Sequence, residues 1–201
     1  MATRSRSERA TRRRLHPDER RRELVAAAER VLRRHGPDGC RVEDVTAAAA
    51  TAKGNFYRYF KTWDDLLVAV RDHLVARYAE AVRERLDGPI TDWWATLDDE
   101  IDRFISYQLD LGGLHDAVFH GPAERARAID DPQSAPGLIG AFVAAGVADG
   151  AFAAVDIVPT SYLLFQVLHG AADAIAFGAD DAAVRAATHR IVRHTLEGGP
   201  S

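Results

Sequence analysis

The sequence predicts an all-α fold, and three observations support that prediction. Apolar residues recur every three or four positions over most of the chain, which is the spacing of one face of a helix. No stretch alternates apolar and polar residues for long enough to indicate a strand. Gly-Pro pairs such as Gly36-Pro37 and Gly88-Pro89 stand where helical segments end, since Gly suits a left-handed cap and Pro cannot continue a helix.

Four helices are predicted in the first 87 residues. Asp18 is the expected cap of the first, whose apolar positions include Leu24, Ala28 and Leu32. Thr51 is the expected cap of the third. The predicted segments run from 17 to 35, from 42 to 49, from 52 to 60, and from 62 or 64 to the residue before Gly88.

The remaining chain is also predicted to be helical. Trp94, Ile101 and Ile105 lie on one face of a helix that ends at Gly112-Gly113. The expected segments after it are a short element at 114–120, a helix at 123–129, a loop containing Pro132 and Pro136, a helix over 138–147, and two final helices at 157–177 and 181–196 separated by Gly178.

Composition limits the class of protein. The chain has 201 residues, of which 47% are apolar, too many for a disordered chain. Its one cysteine, Cys40, excludes an internal disulfide framework and fits a reducing compartment. The N-terminus lacks the apolar segment of a secretory signal, and the apolar stretch 157–177 is interrupted by Pro, Gln, His and Asp, so we expect a buried helix, no membrane association and a cytoplasmic protein.

Charge is divided unevenly along the chain. Residues 1–61 contain 16 Lys and Arg against 8 Asp and Glu, whereas the rest contains 10 against 22. A basic first third on an acidic body indicates a segment that binds a polyanion, with nucleic acid and acidic membrane as the main candidates. A basic disordered tail over residues 1–17 explains six of these arginines equally well, but it does not explain the ordered-looking segment that follows.

The three short predicted helices have the layout of a helix-turn-helix. The segment TAKGNFYRYFKTWDDLL, from Thr51 to Leu67, resembles the recognition-helix signature of the TetR family of repressors. Residues 22–28 and 42–45 are similar to the first two helices of the same domain, so the resemblance covers roughly 18–67, about a quarter of the chain. It implies a basic arm at 1–17, a DNA-binding domain at 18–63, and a helical effector-binding and dimerisation domain at 64–201 joined to it by the long fourth helix.

The resemblance also implies residue roles in the DNA-binding domain. Asn55 is the candidate for reading a base, because an amide can both accept from and donate to an adenine edge. Gly54 leaves room for close approach to a backbone, and Arg58 is either a backbone contact or a solvated charge. The expected phosphate contacts are Lys53, Tyr57, Tyr59 and Lys61.

Three residues depart from the family pattern. Arg41 stands where a Ser or Thr usually caps the second helix; it can bind phosphate but caps poorly. Ala50 replaces the usual turn glycine and Ala52 the usual serine, which puts the local backbone contacts in doubt. The arginine-rich arm at 4–14 either lies in the adjacent minor groove or is an untethered tail.

The resemblance implies that the acidic body forms a homodimer and encloses a small-molecule pocket. Segments 157–177 and 181–196 would pair with their copies in a four-helix interface, although burial within one chain is the alternative. A polar stripe of Tyr162, Gln166, His169 and Asp173 either pairs internally or converges on a ligand. Structural pairing is favoured for His169 and Asp173, and a ligand for Tyr162 and Gln166. The full set of candidate ligand-binding residues is Trp94, Phe104, Tyr107, Phe119, Phe142, Tyr162, Phe165, Gln166 and His169.

Other chemistry is not predicted. His115, Asp116 and His120 hint at a metal, but the spacing is weak evidence, so we expect no metal site and no cofactor. No phosphate loop, nucleophile elbow or cofactor fingerprint is present, so an enzyme is not expected. The resemblance implies a ligand-responsive regulator, most often a repressor, that binds a palindromic operator as a homodimer and is released by an effector. The alternative is an architectural DNA-binding dimer with no effector.

Overall fold

A computed structural model describes residues 16–120 and 134–198, and in that part of the chain every regular element is a helix. The all-α prediction is therefore confirmed. The predicted helix at 123–129 and the arginine-rich arm lie outside the described residues. The helices are α1 (Pro17–His35), α2 (Val42–Ala48), α3 (Lys53–Tyr59), α4 (Trp63–Arg85), α5 (Trp93–Leu111), α6 (Gly113–Phe119), α7 (Ala135–Ala148), α8 (Ile157–Ala176) and α9 (Asp181–Glu197).

Helix boundaries differ from the sequence prediction at three named residues. Ala52, and not Thr51, precedes α3, and its side chain makes no capping hydrogen bond. His16 rather than Asp18 precedes α1, and its backbone N–H donates to the Glu19 carboxylate at 2.9 Å, so the acid in the first turn satisfies the end of the helix. Pro136 lies in the first turn of α7 instead of in a loop. Its missing N–H costs nothing there, because that amide has no partner within the helix.

Two apolar cores organise the chain. The first lies under α1, α2 and α3 and includes Leu24, Phe56 and Phe60, together with the first half of α4. Leu114 and Val118 of α6 also belong to it, so this core draws on a helix well beyond residue 63. The second core is built by α5, α7, α8 and α9.

Helix α4 joins the two cores. Leu66, Leu67 and Val70 are buried in the first core, while Tyr78 near the other end packs against the second. The helix has 23 residues, which at about 1.5 Å per residue makes a rod of about 34 Å. Within residues 16–120 and 134–198, none of the helices combines the length and apolarity needed to span a bilayer.

Candidate functional site

Helix α3 is held in place by two phenylalanines. Phe56 and Phe60 are four residues apart, have 0% and 2% of their surface exposed, and lie with ring centroids 5.6 Å apart. Because side chains four apart share one face of a helix, this anchoring turns the opposite face outwards. Tyr57, which has 52% of its surface exposed, lies on that outer face.

The candidate DNA-contacting residues divide into an exposed group and a half-buried pair. Tyr59 is half-buried and packs against the first core, so its side chain is less free to reach DNA than the sequence implied. Asn55 is half-buried as well, and its Nδ2 donates to Oγ1 of Thr51 at 2.8 Å. This bond leaves the second amide hydrogen and Oδ1 available. The exposed group is Arg41, Lys53, Gly54, Tyr57, Arg58 and Lys61.

Lys53 is paired with an acid in the free protein. Its ammonium donates to the Glu43 carboxylate of α2, which raises the pKa of Lys53 and lowers the pKa of Glu43. Both side chains are more than half exposed, so the pair adds little to stability. Its effect on this surface is to place a negative charge beside a cation that is a candidate for binding phosphate.

Two of the three departures from the family pattern, Arg41 and Ala50, have structural consequences. Arg41 occupies the cap position of α2 without a capping side chain, and its backbone N–H instead donates to Asp44 at 2.9 Å. The Arg41 guanidinium therefore does not cap α2, whereas the hydroxyl of the usual Ser or Thr would. Ala50, in the turn between α2 and α3, has a φ of 46°, the left-handed region in which a residue with a Cβ is strained.

The other end of α3 is joined rigidly to α4. The Asp65 carboxylate accepts from the backbone N–H groups of Lys61 and Thr62, and the Thr62 hydroxyl accepts in return from the Asp65 N–H at 3.0 Å. Reciprocal capping of this kind fixes the angle at which one helix enters the next.

A buried acid connects α4 to α1 and was not anticipated from the sequence. Glu29 is 9% exposed and accepts from Arg77 of α4 at 3.1 Å and from Arg33 at 3.2 Å. The signal that could have revealed it is one acid between the apolar positions Ala28 and Val31 of α1. A buried carboxylate needs such partners, so the network keeps the two helices in register.

An apolar cavity of about 80 Å³ opens in the second core. The last turns of α4 supply Tyr78, Val82 and Leu86 to its wall, and α8 supplies Leu164 and Leu168. The remaining lining residues are Leu97, Glu100, Ile101, Phe104, Ala135, Leu138, Ile139, Phe142, Val143 and Val192. This cavity therefore lies against the end of α4 that is remote from α3.

One polar pair stands at the cavity. Glu100, its only charged lining residue among those described, accepts from Arg85 of α4 at 2.8 and 2.7 Å. Burial, followed by the nearby Glu100 carboxylate, raises the pKa of Tyr78. The Tyr78 phenol therefore stays protonated and can donate a hydrogen bond at the cavity wall.

Two of the nine candidate ligand-binding residues, Phe104 and Phe142, line this cavity. The others lie elsewhere. Trp94 and Phe165 pack in the second core beside Phe152 and Phe104, and Phe119 packs in the first core. The Tyr107 hydroxyl donates to the Leu74 carbonyl at 3.2 Å. Tyr162 is half-buried, Gln166 is exposed, and His169 faces Gln108, whose Nε2 lies 3.2 Å from its Nδ1.

An apolar face remains uncovered along α8 and α9. Leu163 has 63% of its surface exposed, Phe177 has 83%, and Ile191 of α9 has 50%. Leu163 and Ile191 line a shallow groove between the two helices together with Thr160, Leu164, Gln166, Val167 and Thr195. Large apolar side chains grouped in this way are typical of a surface that another protein covers.

Comparison with known proteins gives results for the first domain and for the fold. Residues 24–70 match the family model described as bacterial regulatory proteins, tetR family. The chain is 33% identical over 79 residues to YvdT, an uncharacterised HTH-type transcriptional regulator of Bacillus subtilis. The match covers 39% of this chain and spans only 40% of that relative.

Solved structures extend the likeness to the whole fold. A TetR-family transcriptional regulator from Pectobacterium atrosepticum is 22% identical, with 94% of this chain and 100% of that chain covered and a TM-score of 0.68. RolR in complex with its ligand resorcinol is 21% identical over 88% of each chain, with a TM-score of 0.58. Helices of both cores are therefore arranged as in these regulators.

Proposed function

The chain belongs to the TetR family of bacterial regulatory proteins, and we propose that it is a ligand-responsive DNA-binding repressor that works in the cytoplasm as a homodimer. The observation that carries the proposal is the exposed face of α3, where Tyr57 stands out between two buried phenylalanines. Its relatives are transcription regulators and not enzymes.

On DNA, α3 enters the major groove and Asn55 reads an adenine edge with Oδ1 and its free amide hydrogen. Tyr57 and Lys53 bind phosphate, with Lys53 exchanging its contact with Glu43 for one with the DNA backbone. Arg41, Arg58 and Lys61 are exposed beside them and add cationic contacts. Tyr59 contributes mainly by holding α3 on its core.

The second copy covers the uncovered face of α8 and α9. Leu163 and Ile191 are the centre of that contact, and the partner presents the same residues by two-fold symmetry. The pairing delivers two α3 helices to successive major grooves, about 34–36 Å apart on a palindromic operator.

The effector is a small, largely apolar molecule in the cavity of the second core. Tyr78 and Glu100 offer it a hydrogen-bond donor and an acceptor on an otherwise apolar wall. RolR, one structural neighbour, has a crystal structure in complex with its ligand resorcinol. Resorcinol is a phenol, so it is also a small, largely apolar molecule that can form hydrogen bonds. An occupant that pushes on Tyr78, Val82 and Leu86 tilts α4, and the capped junction at Thr62 carries the tilt to α3.

The DNA-binding proposal is tested by selecting duplexes from a random library with the full chain and measuring affinities by fluorescence anisotropy. Tyr57→Ala should weaken binding to all selected sequences, whereas Asn55→Ala should cost about 1–3 kcal/mol at particular base pairs only. Arg103→Ala, an exposed arginine of α5 remote from α3, is the matched control and should leave binding unchanged. Equal losses from both test variants on every sequence would refute the role of Asn55.

An absence of salt-dependent binding to any duplex would overturn the DNA-binding function itself. The effector proposal has a separate test, in which phenols and other small apolar compounds are screened for thermal stabilisation of the chain. Stabilisation that is lost in Phe104→Trp, which fills the cavity, supports an effector site. No stabilisation by any compound would favour the architectural, effector-independent alternative.

A further inference from the structure

Four side chains from α6 and α8 converge between the two cores. His115 and His120 come from α6, and His169 and Asp173 come from α8; each presents a donor atom, and these atoms all lie within 4.8 Å of one another. The Asp173 carboxylate is 3.2 Å from Nε2 of His120, 3.8 Å from Nδ1 of His115 and 3.9 Å from Nε2 of His169. No pattern along the chain indicates that these two pairs of residues lie together.

Hydrogen bonding does not account for this arrangement. Only the contact between His120 and Asp173 is short enough for a hydrogen bond. His115 is 7% exposed, and its Nε2 is buried without a hydrogen-bond partner among the described residues. Its ring lies 4.8 Å from that of His169 and 5.1 Å from that of His120, centroid to centroid. A buried imidazole that lies beside two others is therefore left with a nitrogen that needs a partner.

A metal ion bound by all four side chains accounts for their convergence. Zinc binds imidazole nitrogen and carboxylate oxygen at about 2.0–2.2 Å, which puts tetrahedral ligand atoms about 3.4 Å apart. The donor atoms of the cluster are up to 4.8 Å apart, so each ring nitrogen would have to move by about 1 Å to reach that spacing. Three neutral imidazoles and one carboxylate leave a single negative charge facing the ion, and this donor set suits zinc better than the oxygen-binding cations magnesium and calcium.

Burial is the main influence on two of the four side chains, and it lowers the pKa of His115 and of His169. Nε2 of Gln108, on α5, lies 3.2 Å from Nδ1 of His169, and Oε1 of Gln108 is buried with no hydrogen-bond partner in the described part of the chain. Turning this amide over lets Oε1 accept from Nδ1–H, which orients Nε2 of His169 as a ligand.

We propose that His115, His120, His169 and Asp173 form a binding site for a divalent first-row transition metal of the zinc type. The ion joins α6 to α8. Because Leu114 and Val118 of α6 belong to the first core while Leu164 and Leu168 of α8 belong to the second, it ties the two cores together. The site differs from the sequence expectation of no metal, since the expectation considered residues 115–120 without their partners on α8.

The test uses the full chain, without an affinity tag, freed of metal with a chelator. Zn²⁺ titration by calorimetry should give one site per chain, and Co²⁺ should give the intense visible absorption of a four-coordinate ion. His120→Ala and Asp173→Asn should each weaken binding at least about tenfold. Both positions are partly exposed, so these variants are expected to fold, which circular dichroism verifies.

His194→Ala is the matched control, because it removes an exposed imidazole of α9 outside the cluster and should leave binding unchanged. Lack of saturable one-to-one binding by the parent chain would overturn the proposal. Binding that persists at parental strength in the His120→Ala, Asp173→Asn double variant would place the ion elsewhere and would also overturn it. None of these measurements involves DNA, so the outcome is independent of the proposed regulatory function.

Discussion

Gly54 offers a test in which protein stability and DNA binding should change in opposite directions. It is the second residue of α3, and a Cβ added there would have no atom within 4 Å in the free protein. A glycine within a helix is less stable than alanine by roughly 0.5–1 kcal/mol, because it loses more backbone freedom on folding. Near the end of a short helix we take the lower value, so Gly54→Ala should raise the free energy of unfolding by about 0.5 kcal/mol.

The same methyl group should impair DNA binding. Gly54 lies three and four positions before Tyr57 and Arg58, so all three share the exposed face of α3. If that face enters the major groove, a Cβ at Gly54 meets the DNA and holds the helix away from it. A displacement of this kind weakens every phosphate contact, and we expect the dissociation constant to rise at least about tenfold, or about 1.4 kcal/mol.

Urea denaturation measures the first effect, and anisotropy with a selected duplex measures the second. Gly113→Ala is the matched control: it also adds a methyl to a helical glycine, meets only ordinary contacts at 3.7 and 3.8 Å, and lies at the start of α6. It should not change DNA affinity. If Gly54→Ala bound DNA as tightly as the parent chain, the placement of this face against DNA would be refuted.

Three further changes have defined outcomes. Ala50→Gly relieves the left-handed backbone at φ 46° and should raise the free energy of unfolding by about 0.5–1 kcal/mol in urea denaturation; a decrease would show that the turn is not strained. Glu43→Gln releases Lys53 and removes a negative charge beside the DNA, so anisotropy should show about threefold tighter binding and a steeper salt dependence. Unchanged affinity would exclude Lys53 from the interface. Leu163→Glu places a charge on a side chain that is 63% exposed in the single chain and would be buried in the proposed dimer. Sedimentation should show a dimer dissociation constant at least about a hundredfold higher. An intact dimer would place the interface elsewhere.

Local signals in the sequence were sufficient to predict most of the helices. Gly36 ends α1 with a φ of 70°, and Thr62 caps α4, as their residue types indicate. These features depend on neighbours a few residues away, so they are readable from one sequence. The anchoring of α3 by Phe56 and Phe60 was predictable for the same reason, since i,i+4 spacing on a helix places both on one face.

Contacts between distant helices were not predictable in this way. Four of the expected pocket aromatics, among them Trp94 and Phe119, are core residues instead of cavity lining, because their type does not indicate which neighbour they meet. The cluster around Asp173 was missed for a related reason. The two residues on α6 are at least 49 positions away from the two on α8, and helical periodicity carries no information about which helices pack together.

Helix α8 contributes residues to both the cavity and the histidine cluster. Leu168 lines the cavity, and the next residue, His169, belongs to the cluster. Each site also reaches the DNA-binding core by its own helix: the cavity through the end of α4, and the cluster through α6, which packs against both α1 and α4. We therefore expect an occupant of either site to change the position of α4 relative to α1, where the buried Glu29 links Arg33 and Arg77. Because coupling between two binding sites is reciprocal, an ion that changes the affinity for a cavity ligand must have its own affinity changed by the same factor.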